Sequence, residues 1–199
     1  MSQRAMTRMS AEEFLEWGLH QDVGYELVDG VPVAMAAVTR LHDRIVTNVH
    51  GMLYNLLRGR KCRAFTGAIA VRIPGGNIRR ADAGIDRGIV DDEATTAGEP
   101  MLLLEVLSSS TRDFDMFGKL EEYQTVSGLA HIVIVDPDAP QVFHWSRARN
   151  EPWRHQLLEG LDAVIQLPEF DGALDLASLY EGVTFRPRPR LVREGEASA

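Results

Sequence analysis

A glutamate set inside an otherwise aliphatic run constrains this chain more than any other feature. Met101-Leu102-Leu103-Leu104-Glu105-Val106-Leu107 is short and bounded by Pro100 and the serines at 108–110, the pattern of a buried strand. An ionised carboxylate there is costly unless it is paired or holds a cation. Whatever fold buries this strand must bring a compensating charge to Glu105.

The elements before that strand read as follows. Ser10 and Glu13 are spaced as a capping box, so a short helix is expected over residues 9–18, with Phe14, Leu15 and Trp17 on its apolar face. Tyr25-Glu26-Leu27-Val28 reads as a strand, Asp29-Gly30 as a two-residue turn and 31–38 as the returning strand. Glu26 alternates with apolar neighbours and could face solvent. Leu41, Ile45, Val49, Met52, Leu53, Leu56 and Leu57 recur at helical spacing. The helix they mark, 41–57, starts with His42, which could point toward the region of Glu26. It ends in a basic cluster, Arg58, Arg60, Lys61 and Arg63. One strand is expected over 62–73 and another over 78–86, the latter placing Asp82 amid small and apolar residues.

Beyond Glu105, a helix is expected over 112–126, capped from Ser108–Thr111, with Lys119 and Tyr123 four apart on one face. Ile132-Val133-Ile134-Val135 reads as a strand buried on both faces. Residues 142–147 and 153–158 alternate as peripheral strands, and 174–180 reads as a last short helix. A single domain is expected over 8–185, with disordered tails at 1–7 and 186–199.

Composition narrows the function classes. A formal net charge of −8 argues against sequence-independent coating of nucleic acid, which rests on many phosphate contacts. A single cysteine, Cys62, leaves no internal disulfide framework and fits a cytoplasmic protein. No apolar run approaches the ~20 residues of a membrane span, so no membrane partner is expected.

Three acids, Glu26, Asp82 and Glu105, share one kind of context. Two bare charges ~4 Å apart repel by roughly 4 kcal/mol at an effective dielectric near 20. A hard divalent cation would remove that penalty, and oxygen-only ligands favour Mg²⁺ or Mn²⁺ over zinc. A nearby amine would complete a hydrolytic site by orienting the attacking water or holding phosphate charge. Lys119, on the helix after the Glu105 strand, is the candidate.

The order Asp82, then Glu105-Val106-Leu107, then Lys119 resembles the PD-(D/E)xK nuclease superfamily. More closely, Tyr25-Glu26-Leu27-Val28-Asp29-Gly30, the His42 helix, Arg80-Ala81-Asp82, Leu104-Glu105-Val106-Leu107-Ser108, Lys119-Leu120-x-x-Tyr123 and Ile134-Val135-Asp136-Pro137 resemble the Uma-two family of bacterial endonucleases, over about residues 8–180. The resemblance implies an α/β, restriction-endonuclease-like core, a mixed central β-sheet flanked by helices. It implies Asp82 and Glu105 as metal ligands, Glu26 as a further acid of the catalytic and metal site, and Lys119 as the catalytic lysine. Two positions depart from the pattern: Leu107 stands where the superfamily lysine falls, and Ala81 where a proline is usual.

The expected activity is a Mg²⁺- or Mn²⁺-dependent endonuclease in which metal-held water near Lys119 attacks a DNA phosphodiester. Arg79, Arg80 and the 58–63 cluster are candidates for the DNA backbone. A homodimer is the assembly expected if both strands are cut. The rival is a catalytically silent, nuclease-like binding or partner module, favoured by the net acidity and the lack of a long basic stripe. A hydrolase of small phosphoesters is a third reading, but the chain offers no phosphate-cradling glycine loop.

Overall fold

The computed structural model describes residues 8–87, 91–108, 118–149 and 151–185. Both expected tails and most of the expected cap and first turns before Lys119 lie outside these residues. Helix α1 spans Ala11–Gly18 and begins with the predicted capping box: the Ser10 amide donates to Glu13 Oε2 at 2.8 Å and the Glu13 amide to Ser10 Oγ at 3.2 Å. Strands β1 (Tyr25–Val28) and β2 (Val31–Ala34) form the predicted hairpin, the returning strand ending at Ala34 instead of running on to residue 38. Its turn residues, Asp29 and Gly30, have φ of 48° and 77°, the backbone that favours an Asp-Gly pair. Helix α2 spans Arg40–Leu57 and is capped by Thr39, whose hydroxyl accepts from the His42 amide.

Both strands expected around Asp82 are divided. The first becomes β3 (Arg63–Thr66) and β4 (Val71–Arg72), and the second β5 (Ile78–Arg79) and β6 (Ala83–Asp86). The break has a topological reason. Strands β4 and β5 belong to a four-stranded sheet in the order β2-β1-β5-β4, whereas β3 and β6 belong to a six-stranded sheet. In each case the chain changes sheets midway, and Arg80-Ala81-Asp82 is one of these crossings. Alternation of side chains cannot reveal it, because both halves are extended and apolar.

The large sheet is completed by β7 (Pro100–Val106), β8 (His131–Asp136), β9 (Gln141–Ser146) and β10 (Arg154–Glu159), in the order β10-β9-β8-β7-β6-β3. Strands β7 and β8 are parallel and the other pairs antiparallel, so the sheet is mixed. Between β7 and β8 lies helix α3 (Leu120–Thr125), preceded by a turn of π-helix at Gly118-Lys119. Past β10 come a β-hairpin, β11 (Val164–Leu167) with β12 (Gly172–Asp175), and the short helix α4 (Leu176–Leu179). The hairpin takes the place of the first part of the expected 174–180 helix. Asp175 ends that helix at its N-terminal side by accepting from the Ser178 amide at 2.7 Å.

Alternate residues of β7 supply two cores. Leu102, Leu104 and Val106 pack with Ile45, Val49 and Leu53 of α2, while Leu103 and Leu107 pack with Tyr123 and Val126. Glu105 has the parity of the second set and so faces α3. All seven residues of β7 are buried. No helix among the described residues is long and apolar enough to cross a membrane.

Candidate functional site

The site lies where the two sheets meet. β1 contributes Glu26, the crossing before β6 contributes Asp82, β7 contributes Glu105 and the turn leading into α3 contributes Lys119. His42 enters from the first turn of α2. All five line one cavity of about 170 Å³, whose remaining wall includes the apolar segment 33–38. The four residues expected from sequence are therefore brought together, although β1 is more than 90 residues before α3 in the chain.

The neutraliser of Glu105 is an amine. Lys119 Nζ lies 3.2 Å from Glu105 Oε1 and 3.1 Å from Glu26 Oε1, and all three residues are less than a tenth exposed. Tyr123 donates its hydroxyl to the same Glu105 oxygen at 2.6 Å. Burial pushes the Tyr123 phenol well above its usual range, and the Glu105 charge beside it adds to the shift. The proton therefore stays on the phenol, where it serves Glu105. This pairing replaces the repulsion expected between facing bare carboxylates.

Glu26 is buried rather than facing solvent. The register Leu27↔Ile78 sets it beside the crossing, and the Arg80 amide donates to its Oε1 at 2.9 Å. Arg79, 1% exposed, reaches Glu26 Oε2 at 3.2 Å and forks onto Glu122 at 2.6 and 2.7 Å. Burial alone would lower the Arg79 guanidinium's affinity for its proton; the bonds to Glu122 and the Glu26 charge reverse that and raise it. Burial likewise pushes the Glu122 carboxyl up, and hydrogen bonds from Arg79 and Asn77 outweigh it and hold it low. With Arg79, the Arg80 amide and Lys119 upon it, Glu26 holds the amine in place.

Asp82 is fixed differently. The β6–β7 ladder reaches Ala83↔Leu104, and beyond it the Val106 amide donates to Asp82 Oδ2 at 2.7 Å. His42 Nε2 lies 3.2 Å from the same oxygen. Oδ1 takes no hydrogen bond among the described residues. Among the described residues, no three His, Cys, Asp or Glu side chains converge closely enough to form a metal cluster. Two carboxylates in one pocket, with hard anionic oxygens, are still a donor set that fits Mg²⁺, which keeps most of its water and is commonly held through one or two carboxylates.

Four of the basic residues expected to meet a DNA backbone bond within the chain. Arg79 is sequestered as described. Arg80 donates to the carbonyls of Tyr25, Gly67 and Ala68. In the 58–63 cluster, Arg60 donates to the Leu56 carbonyl at 2.9 Å and Arg63 to those of Arg60 and Cys62. These long side chains close off main-chain carbonyls at a helix end and a sheet crossing.

Tyr123, Glu122 and His50, whose Nε2 lies 3.1 Å from the Asp82 carbonyl oxygen, were not among the expected site residues. The i, i+4 spacing of Lys119 and Tyr123 was the available signal for the first. Glu122 becomes visible only once α3 is known to lie against β5.

Residues 11–177 match the profile of the Uma2 family, described as "Putative restriction endonuclease". An uncharacterised protein of Synechocystis, slr1290, is 23% identical over 180 residues, covering 89% of this chain and 94% of the relative. The crystal structure of a "putative nuclease belonging to DUF820" from Anabaena variabilis superposes with a TM-score of 0.69 at 18% identity, over 86% of this chain and 97% of that one. At that identity the likeness establishes a shared fold.

Proposed function

The chain belongs to the Uma2 family, and from that membership and the carboxylate–lysine pocket we propose that it is a metal-dependent endonuclease hydrolysing DNA phosphodiesters. The observation that carries the reading is the convergence of Glu26, Asp82, Glu105 and Lys119 on one pocket, with Lys119 Nζ 3.1 and 3.2 Å from the two glutamates. Asp82 and Glu105 would hold Mg²⁺ or Mn²⁺. The cation, when bound, supplies Lewis-acid polarisation of the phosphoryl oxygen and a more acidic water.

The chain's own residues supply the rest. Lys119 presents an ammonium at the edge of the pocket, where it orients water and holds charge developing on the phosphate oxygens. Glu26 positions that ammonium, and Arg79 donates to the other oxygen of the same carboxylate. Tyr123 restrains the Glu105 carboxylate, so that its rotamer is set before substrate arrives. The buried walls limit competing water and strengthen each of these charges.

The test is incubation with supercoiled plasmid, with Mg²⁺ or with EDTA, using wild type and Lys119→Ala. Nicked or linear product that EDTA abolishes is expected, with a loss of roughly 10²-fold or more in Lys119→Ala, the scale of removing one charge-stabilising donor. The net charge of −8 favours the second reading, a catalytically silent nuclease-like binding or partner module. Absence of cleavage by the folded protein under any metal would select it.

A further inference from the structure

Asp82 is gripped twice by one helix. It stands at the sheet crossing, and His50 Nε2 lies 3.1 Å from its main-chain carbonyl oxygen. His42 Nε2 lies 3.2 Å from its carboxylate Oδ2. The two histidines are eight residues apart on α2, so their Cβ atoms lean to neighbouring sides of the helix, two turns apart. A carbonyl only accepts, so His50 presents Nε2–H to it; an ionised carboxylate only accepts, so His42 does the same. Thr39, capping the first turn through the His42 amide, fixes where His42 begins.

We propose that His42 and His50 are positioning residues that clamp Asp82, at side chain and main chain, so that its Oδ1 is presented to a divalent cation at a fixed place. This inference rests on the reading of Asp82 as a metal ligand. Three donors then fix one residue: the Val106 amide and His42 hold Oδ2, and His50 holds the carbonyl. Rotation of the carboxylate would break two bonds inside a largely buried pocket. Such outer contacts commonly change metal affinity by roughly 10- to 100-fold when removed.

The test is calorimetric titration with Mn²⁺ of the full chain and of His42→Ala, His42→Gln, His50→Ala and Asp82→Asn, each first confirmed as folded by circular dichroism. A glutamine amide reaches the place of a histidine Nε2. His42→Ala and His50→Ala are expected to bind Mn²⁺ about 10- to 100-fold more weakly, with His42→Gln restoring most of the affinity and Asp82→Asn abolishing binding. Loss of affinity in His42→Ala that His42→Gln does not restore overturns the clamp, since simple disruption of the helix start would give that pattern. Wild-type affinity in both alanine variants, with Asp82→Asn inactive in binding, overturns the clamp alone. Wild-type affinity in Asp82→Asn removes the metal-ligand reading and the clamp with it. Nitrogen coupling from His42 in the electron spin echo of bound Mn²⁺ would make it a ligand and overturn the positioning role.

Discussion

Glu105 is held by an amine and a phenol, and the two bonds are separable by mutation. Tyr123→Phe keeps the ring in its core and removes one hydrogen bond to a charged group, so a loss of about 1.5–3 kcal/mol is expected. Urea unfolding at neutral pH measures it, and an unchanged midpoint would show that the phenol contributes nothing there. At this scale the sequence was informative about need and silent about supply. A glutamate in an aliphatic strand announces that something must neutralise it. Nothing local says whether that is a cation or Lys119, because the amine's distance depends on how the chain returns from β7. The same limit applies to Arg79 and Arg80, which as exposed charges suit phosphate and as buried ones suit Glu26 and carbonyl oxygens.

A second residue-scale consequence concerns acid. His144 is buried against His131, whose other ring nitrogen lies 2.7 Å from Glu169. Burial, with the neighbouring His131, pushes the His144 imidazole down to about 4. An unfolded histidine takes its proton near pH ~6.5. The unfolded state therefore binds more protons between those values, and the stability this site contributes is complete above about pH 6.5 and is lost as pH falls toward 4. Wild type is expected to lose more stability between pH 7 and 4.5 than His144→Gln does; equal losses in thermal melts would contradict this.

At the scale of elements, ends and close approaches decide stability. The Ser10 cap is legible from spacing alone, and Ser10→Ala should cost about 1 kcal/mol in urea unfolding. Gly84 is different. A Cβ built there would come within 2.1 Å of the Phe65 ring on β3, the strand paired with β6. Gly84→Ala is expected to destabilise by roughly 1–3 kcal/mol through overpacking, and Phe65→Leu in the same background should recover part of it. A Gly84→Ala midpoint equal to wild type would mean that the strand moves aside without cost. Local signals found the β1–β2 hairpin, α1 and α2, where capping, turn chemistry or helical period act within a few residues. They missed the breaks at 67–70 and 80–82, where the chain changes sheets, since partner choice is set by distant strands.

Across the whole molecule, Arg79 ties the small sheet to α3 while Lys119 ties α3 to both sheets. Removing the guanidinium leaves Glu26 and Glu122 without their shared partner, and breaking a buried pair in this way costs about 3–5 kcal/mol. Arg79→Met is therefore expected to lower stability more than Glu122→Gln, which leaves no unpaired charge on the glutamate side; the reverse order in urea unfolding would contradict the network. The order of acids, lysine and tyrosine along the chain carried the family and the mixed α/β core, because order survives where local periodicity fails. The β11–β12 hairpin was not legible, its first strand being four residues that alternate too briefly to stand out.

If acids remote in sequence share one cation, calorimetric titration of Mn²⁺ into wild type and Glu105→Gln will register it. One saturable site in wild type that disappears in the folded variant is predicted. Equal binding by both proteins, or no binding by either, would contradict it.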